Sequence, residues 1–142
     1  MTASQATGRR ILVTGAAGYL GSELVKSLAR QREDPGIGLV VASGVREMAQ
    51  NALPAGIMFV RHDVRSPGLA AVLQQHRIDT VVHLAAIVTP GARSNRALEY
   101  AVDVDGTHNV LDACIAAGVH QLIVTSSGAA YGYHADNPAW LT

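Results

Sequence analysis

Three glycines spaced three residues apart form the clearest candidate for chemistry in this sequence. Gly15, Gly18 and Gly21 follow the apolar run 11–13. Glycine allows a tight turn and lets a ligand approach the backbone, and the free amides at the start of a helix attract an anion. A continuous apolar run is typical of a strand buried in a parallel sheet. The pattern therefore predicts a strand, a phosphate-binding loop and a helix; a glycine-rich turn that binds nothing is the alternative.

Five apolar segments alternate with helical segments along the chain. Strands are predicted at 11–13, 39–42, 57–60, 80–86 and 121–125. A helix follows the glycine loop, a second begins at Ser66-Pro67 as N-cap and first residue, and a third runs from about 95 to 117 and ends at Gly118. This alternation predicts an α/β fold with a doubly wound parallel sheet of about five strands, in the order 3-2-1-4-5, within three layers.

Apolar residues at helical spacing indicate which faces of these helices are buried. On the first helix they are Leu20, Leu24, Val25 and Leu28. On the last helix they are Leu98, Val102, Val110, Leu111, Cys114 and Ile115. Both sets are expected to face the core.

Composition limits the class of protein. The 142 residues, 49% of them hydrophobic, suffice for one domain at 9–142 after a flexible tail at 1–8. A net charge of zero with scattered arginines excludes nucleic acid and anionic membranes as partners. The single cysteine excludes an internal disulfide, and the histidines lack metal-ligand spacing. No apolar run is long enough to cross a membrane, so a cytoplasmic protein without a metal is expected.

The segment Thr14-Gly15-Ala16-Ala17-Gly18-Tyr19-Leu20-Gly21 carries the spacing Gly-x-x-Gly-x-x-Gly. It resembles the extended short-chain dehydrogenase/reductases, the NAD-dependent epimerase/dehydratase group, and later motifs extend the resemblance over nearly the whole chain. The resemblance implies a bound nicotinamide dinucleotide, NAD with NADP possible. It also implies a parent enzyme, an epimerase, dehydratase or reductase, that performs hydride chemistry on a sugar nucleotide or a related hydroxyl or carbonyl substrate.

The same resemblance assigns the cofactor contacts. Asp63 and Val64 match the pair that holds adenine, although Asp63 could instead cap local amides. His83 precedes the ribose and pyrophosphate contacts and is interpreted as a packed residue rather than a catalyst. The full set of expected contacts is Gly15, Ala17, Gly18, Tyr19, Leu20, Asp63, Val64, Leu84, Ala85, Ala86, Ile87 and Asp103.

Two positions depart from the family pattern. Gly44 stands where the family commonly has an aspartate that binds the adenosine ribose, and Arg46 follows it. Arg46 could meet a 2′-phosphate or remain a solvated cation, so the choice between NAD and NADP stays open, with NAD favoured by the resemblance. Asp103 replaces an asparagine that helps hold the cofactor, and an ionised aspartate cannot donate a hydrogen bond.

The motif Ser-Ser-x-x-x-Tyr-Gly at 126–132 makes Ser127 the family's catalytic serine, whose hydroxyl would bind the substrate oxygen; a serine-rich turn is the alternative. The family also needs Tyr-x-x-x-Lys on the next helix. The four tyrosines are followed four places later by Glu23, Val104, Ala135 and Asn137, and the only lysine is Lys26. The chain is therefore expected to be the dinucleotide-binding part of a longer enzyme, ending before that helix and the substrate region, and inactive alone.

Two other functions remain open: a non-catalytic module that binds or senses dinucleotide, and a scaffold whose glycine loop is only structural. An uncovered fifth strand would also leave apolar surface exposed. A homo-oligomer is therefore expected.

Overall fold

The structure is a computed structural model that describes residues 8–31, 33–48, 52–88, 92, 95–132 and 134–140. Residues 1–7 of the expected tail lie outside the described residues. Gly8 is buried, and a Cβ atom added to it would come within 2.5 Å of the backbone nitrogen of Gly38. The described chain thus packs against the sheet from Gly8 onward.

A parallel five-stranded sheet forms the centre of the fold. Its strands are β1 (Arg9–Thr14), β2 (Ile37–Gly44), β3 (Met58–Arg61), β4 (Thr80–His83) and β5 (Gln121–Val124). They pair in the order β3-β2-β1-β4-β5, which confirms the predicted order. Because all strands run the same way, their carboxyl ends meet at one edge.

Two hydrophobic clusters fill the space on opposite faces of the sheet. Successive strand residues point to opposite faces, so Leu12 joins one cluster and Val13 the other. The helices are α1 (Tyr19–Arg30), α2 (Leu69–Gln75), α3 (Arg96–Tyr100) and α4 (Gly106–Ala117), with a π-helical turn (Ala101–Asp105) between α3 and α4. Helix α1 packs on the cluster of Val13, and α2 with α4 on that of Leu12. The predicted three-layer α/β fold is confirmed.

The long third helix is confirmed in extent and differs in detail. It runs from Arg96 to Ala117 and ends at Gly118, whose φ of +70° is the left-handed conformation that glycine adopts readily. The sequence does not predict the π-helical turn within it. Turns of this kind are frequent at functional sites.

The predicted start of α2 at Ser66 is wrong. The helix begins at Leu69 after Gly68, whose φ is +98°. The backbone of Ser66 is used elsewhere: its amide donates to the carbonyl of Asp63 at 2.8 Å, and its carbonyl accepts from Asn109 Nδ2 at 2.9 Å. These bonds hold residues 63–66 in a turn before the helix can begin.

Part of the predicted apolar faces is solvent-exposed. Val25, Val110 and Cys114 are buried as predicted, whereas Leu20, Leu111 and Ile115 are exposed, Ile115 by 71%. Leu111 and Ile115 lie outside both core clusters. Helix α4 has apolar residues around much of its circumference, and periodicity alone could not show which of them the sheet covers.

Candidate functional site

A cleft of about 370 Å³ lies at the carboxyl edge of the sheet. It is lined by the glycine loop, the ends of β2, β3 and β4, and the helix at Leu98 and Val102. Nine of the twelve expected cofactor contacts line it: Gly15, Ala17, Gly18, Asp63, Val64, Leu84, Ala85, Ala86 and Ile87. The tertiary structure therefore brings these nine residues to one cleft, while their contact with a cofactor stays a prediction.

The glycine loop can be built only from glycine at two positions. Gly15 has a φ of +66°, and a Cβ atom on it would lie 2.7 Å from the backbone nitrogen of Ala85. A Cβ atom on Gly21 would overlap the carbonyl oxygen of Gly15. These contacts press the loop against β4 and the start of α1 against the loop, so the helix begins at the edge of the cleft.

The amino terminus of α1 is open to an anion. Gly18 is the N-cap, no side chain caps the helix, and its first turn holds no acidic residue. Ser22 is the first amide that donates along the helix, to the carbonyl of Gly18 at 2.9 Å, which leaves the amides of Tyr19 and Leu20 without an acceptor within the helix. Both side chains are exposed, that of Tyr19 by 84%, and neither lines the cleft. Only their backbone amides are candidates for contact.

A chain of hydrogen bonds ties this loop to the long helix. Thr14 Oγ1 accepts from the amides of Leu84 and Ala85 at 3.1 and 3.3 Å, so its proton is available to His83 Nδ1, 2.7 Å away. His83 Nε2 then donates to Thr107 Oγ1 at 3.0 Å, and that hydroxyl donates to the carbonyl of Asp103 at 2.7 Å. The direction of every bond is set by the partners.

These hydrogen bonds explain the role of His83, which is only 3% exposed. Burial lowers the pKa of His83 below its usual 6.5, while the nearby Asp103 carboxylate opposes that shift. A neutral ring with Nδ1 as acceptor fits both threonines, so the interpretation of His83 as a packed residue agrees with its contacts. Its two threonine partners were not predicted, since they lie 69 and 24 residues away in the sequence.

Asp103 contacts the cleft indirectly. Its Oδ1 accepts from the amide of Ile87 at 2.8 Å, and Asp103 itself does not line the cleft. An aspartate suits this bond because only an acceptor is needed. The Ile87 amide, an expected cofactor contact, is therefore already bound within the protein.

The expected adenine contacts lie in a tightly held turn. Arg65 binds the carboxylate of Asp63 through both Nε, at 3.0 Å to Oδ1, and Nη2, at 2.6 Å to Oδ2, and its amide also donates to Oδ1 at 3.0 Å. These bonds lower the pKa of Asp63, so the group stays ionised near neutral pH. The alternative role of Asp63, capping a local amide, is thus present in the structure.

Helix α4 fixes the same turn from the other side. Asn109 Nδ2 donates to the carbonyls of Val64 and Ser66 at 2.6 and 2.9 Å. A Cβ atom on Gly106 would come within 2.8 Å of Val64 Cγ2. Sequence analysis did not predict this contact, which joins residues more than 40 positions apart.

Ser127 lies outside the cleft. It is exposed, and its hydroxyl oxygen accepts from the amide of Ala129 at 3.2 Å as the cap of a 3-10 turn, Gly128–Tyr131. Tyr131 is half exposed. The structure therefore places the expected catalytic serine at the end of β5, on the side of the sheet away from β2 and β3.

A dinucleotide fits the residues at the cleft. The glycine loop leaves a cradle that side chains would fill, and the amides at the start of α1 are open. His62 Nε2 is buried without a hydrogen-bond partner among the described residues, and His62 lines the cleft. The sequence did not single out His62 or Arg65, although both flank the Asp63-Val64 pair. Leu98 and Val102 were predicted only as core residues.

Metal-ligand groups and membrane-spanning helices are absent from the described part of the chain. No three histidine, cysteine, aspartate or glutamate side chains there are grouped as metal ligands. Among the same residues, no helix has the length and apolar character to cross a membrane.

Comparison with known proteins gives the same assignment as the motifs. Residues 11–140 match the model of the NAD dependent epimerase/dehydratase family. UDP-glucose 4-epimerase of Azospirillum brasilense is 34% identical over 134 residues, which cover 93% of this chain and 37% of that protein.

Solved structures of related proteins have the same fold as this chain. A UDP-glucose-4-epimerase from Stenotrophomonas maltophila with bound NAD and formylated UDP-arabinopyranose is 30% identical with a TM-score of 0.71, covering 92% of this chain and 40% of that one. The Bordetella bronchiseptica enzyme WbmG in complex with NAD and UDP is 28% identical with a TM-score of 0.72, covering 89% and 40%. The chain thus spans about two fifths of the length of these relatives. It belongs to the NAD-dependent epimerase/dehydratase family.

Proposed function

We propose that this chain is the dinucleotide-binding part of an NAD(P)-dependent epimerase, dehydratase or reductase whose substrate is a sugar nucleotide or a related hydroxyl or carbonyl compound. The observation that carries the proposal is the cleft, where the uncapped start of α1 meets the turn at Asp63 and the end of β4. Related structures with NAD, and in one case UDP, support the ligand class.

The residues of this chain would bind and orient the dinucleotide. The amides of Tyr19 and Leu20, at the positive end of α1, would donate to the pyrophosphate, since no carboxylate in the first turn competes. Val64 would pack on the adenine. Asp63 would accept a hydrogen bond from the exocyclic amine of the adenine while its carboxylate also binds Arg65. The nicotinamide, when bound, supplies a hydride acceptor and donor.

Ser127 is proposed to donate a hydrogen bond to the substrate oxygen on which charge develops. The hydroxyl proton is free for this, because the bond to Ala129 uses only the oxygen as acceptor. The proton transfer that accompanies hydride transfer needs the Tyr-x-x-x-Lys pair, which this sequence lacks. The chain alone should therefore bind dinucleotide without turnover.

A non-catalytic dinucleotide-binding module is the second candidate. It is favoured by Asp103, which ties up the Ile87 amide, and by Gly44, which offers no carboxylate to the ribose. Joining the chain to the carboxyl-terminal part of a related UDP-glucose 4-epimerase tests it. Epimerase activity that Ser127→Ala lowers by tenfold or more supports the enzyme; a hybrid that binds dinucleotide and does not turn over supports the module.

Binding at the glycine loop is tested with a matched pair of variants, Gly18→Asp and Gly18→Asn. Gly18 is the N-cap with φ −77° and ψ 173°, backbone angles that suit either residue, and the added Cβ atom would lie 3.1 Å from the carbonyl oxygen of Gly15 in both variants. Both variants fill the same space and cap the helix, but only aspartate adds a negative charge beside the pyrophosphate. We expect saturable binding of dinucleotide by the wild type, weaker binding by Gly18→Asn, and none by Gly18→Asp, measured by calorimetry.

Circular dichroism and urea unfolding serve as controls, since the two variants share the contact with Gly15 and cap the helix about equally, so their free energies of unfolding should be alike. The proposal fails if the wild type binds neither NAD nor NADP, or if the aspartate and asparagine variants bind equally well. The scaffold hypothesis makes the first of these two predictions.

A further inference from the structure

The end of β2 leaves open space beside the cleft. Gly44 is the last residue of that strand and lines the cleft. A Cβ atom added to it would find only the carbonyl oxygen of Arg46, 3.9 Å away. In dinucleotide-binding folds the end of this strand lies beside the adenosine ribose. The ribose 2′ position therefore meets room for an extra group, and Gly44 itself offers no side chain to accept a hydrogen bond from a hydroxyl.

Hydrogen-bond donors surround this space. Arg46 is exposed and lines the cleft two residues after Gly44. The amide of His62 donates to the carbonyl of Gly44 at 3.2 Å, which fixes His62 next to the end of β2. The ring atom Nε2 of His62 is the buried nitrogen without a partner among the described residues. The guanidinium of Arg46 can only donate and suits an anion better than a hydroxyl group, and His62 Nε2 can donate as well when it carries the ring proton.

The charges of the cleft point the same way. Of the described residues that line it, Asp63 alone is acidic, and its carboxylate is already bound by Arg65, with 2.6 Å between Nη2 and Oδ2. Arg46 takes part in neither ion pair formed by the described residues. The positive charge of Arg46 at the cleft is therefore not paired by a carboxylate of the described residues, and the adjacent Glu47 is exposed and does not line the cleft.

We propose that this end of the cleft binds the 2′-phosphate of a phosphorylated dinucleotide, so that the chain selects NADP over NAD, with Arg46 as the specificity-determining residue and His62 as a second donor. The inference rests on the proposed function, since it assumes that the cleft holds a dinucleotide. A charged hydrogen bond to phosphate would favour NADP by about tenfold or more.

The test is calorimetric titration of the whole chain with NADP and NAD, and with adenosine 2′,5′-bisphosphate and ADP, at two salt concentrations. We expect NADP to bind at least tenfold more tightly than NAD, with the difference shrinking at high salt. Arg46→Gln should bring the NADP affinity down to that of NAD and leave NAD within twofold. Arg30→Gln, which removes an exposed arginine of α1, is the matched control and should change neither.

Gly44→Asp sharpens the result, because the open space admits the side chain and the carboxylate can accept from the 2′-hydroxyl. It should reverse the preference toward NAD, with circular dichroism unchanged. Equal or tighter binding of NAD by the wild type overturns the inference while leaving the proposed function intact. An equal loss of both ligands in Arg46→Gln overturns the role of Arg46, and failure of both dinucleotides to bind overturns the proposed function as well.

Discussion

The strands near the cleft and the outer strand β5 differ in how much of their surface is buried. On the side of β1 and β2, residues near the ends of the strands are buried: Thr14, which lines the cleft, and Ser43 are almost inaccessible. On the side of β5, Ile123 and Val124 are 44% and 46% exposed, and Ser127 caps a turn at the surface. The strand ends near the cleft are therefore better buried than β5.

This difference agrees with the proposed function. Binding a dinucleotide needs backbone amides and a cleft, and both lie on the side of β1 and β2. Catalysis needs side chains held at defined distances from the substrate, and the hydrogen bond that the Ser127 side chain makes in the described part of the chain is the local one from Ala129. The comparison can be tested by changing matched residues on the two sides.

The largest effect is expected from a methyl group in the glycine loop. Gly21→Ala would force a Cβ atom against the carbonyl oxygen of Gly15, so the free energy of unfolding should fall by about 3 kcal/mol. Gly128→Ala, beside Ser127, meets nothing within 4 Å and should change it by less than about 0.5 kcal/mol. Urea unfolding measures both. Equal effects of the two changes would remove the contrast between the two sides.

The second-largest effect is expected from the hydrogen bonds that His83 makes with Thr14 and Thr107. His83→Phe fills the space but leaves the buried Thr14 hydroxyl proton without its acceptor and removes one of the two hydrogen bonds of the Thr107 hydroxyl, so we expect a loss of about 2 kcal/mol in the free energy of unfolding and weaker dinucleotide binding. His108→Phe, at an exposed position of α4, is the control and should stay within about 0.5 kcal/mol. If His83→Phe has the same free energy of unfolding as the wild type, these hydrogen bonds contribute nothing to stability.

A smaller effect is a loss of stability on mild acidification. Burial lowers the pKa of His83 in the folded protein below 6.5, so between that lower value and 6.5 the unfolded chain binds more protons. The contribution of His83 is therefore complete above pH 6.5 and is lost as pH falls toward its folded pKa. Asp63, with a lowered pKa, loses its contribution only below 3.8. The urea midpoint of the wild type should drop from pH 7 to 5 by more than that of His83→Phe; equal drops would contradict the assignment.

The smallest effect on stability is expected at the exposed face of α4. Leu111 and Ile115 lie one turn apart on that face, and we expect the chain to self-associate through this face and the edge at β5. Ile115→Lys should lower association and change the free energy of unfolding by less than about 0.5 kcal/mol. Ala116→Lys, at the neighbouring exposed position, is the control. Sedimentation of the wild type as a monomer over a wide range of concentrations would contradict self-association.

Much of the fold could be predicted because its signals are local. The apolar run of β1, the glycine spacing and the helix stop at Gly118 each lie within a few residues, and the pattern of alternation leaves few topologies for a parallel sheet. The start of α2 was not predictable in this way. Asn109 holds the carbonyl of Ser66 from 43 residues away, and that bond competes with the N-cap that the local sequence favours.

By itself, the sequence determined the strand order, the glycine loop and most of the residues that line the cleft, because short-range backbone preferences and the period of apolar residues set these features. Tertiary structure alone decided three further features. The guanidinium of Arg65 binds the carboxylate of Asp63, the ring of His83 is hydrogen-bonded to two threonines, and the side chain of Ile115 faces solvent. These outcomes depend on which distant side chains meet, and a hydrogen bond or a buried contact forms only where the folded chain brings its partners within a few ångströms.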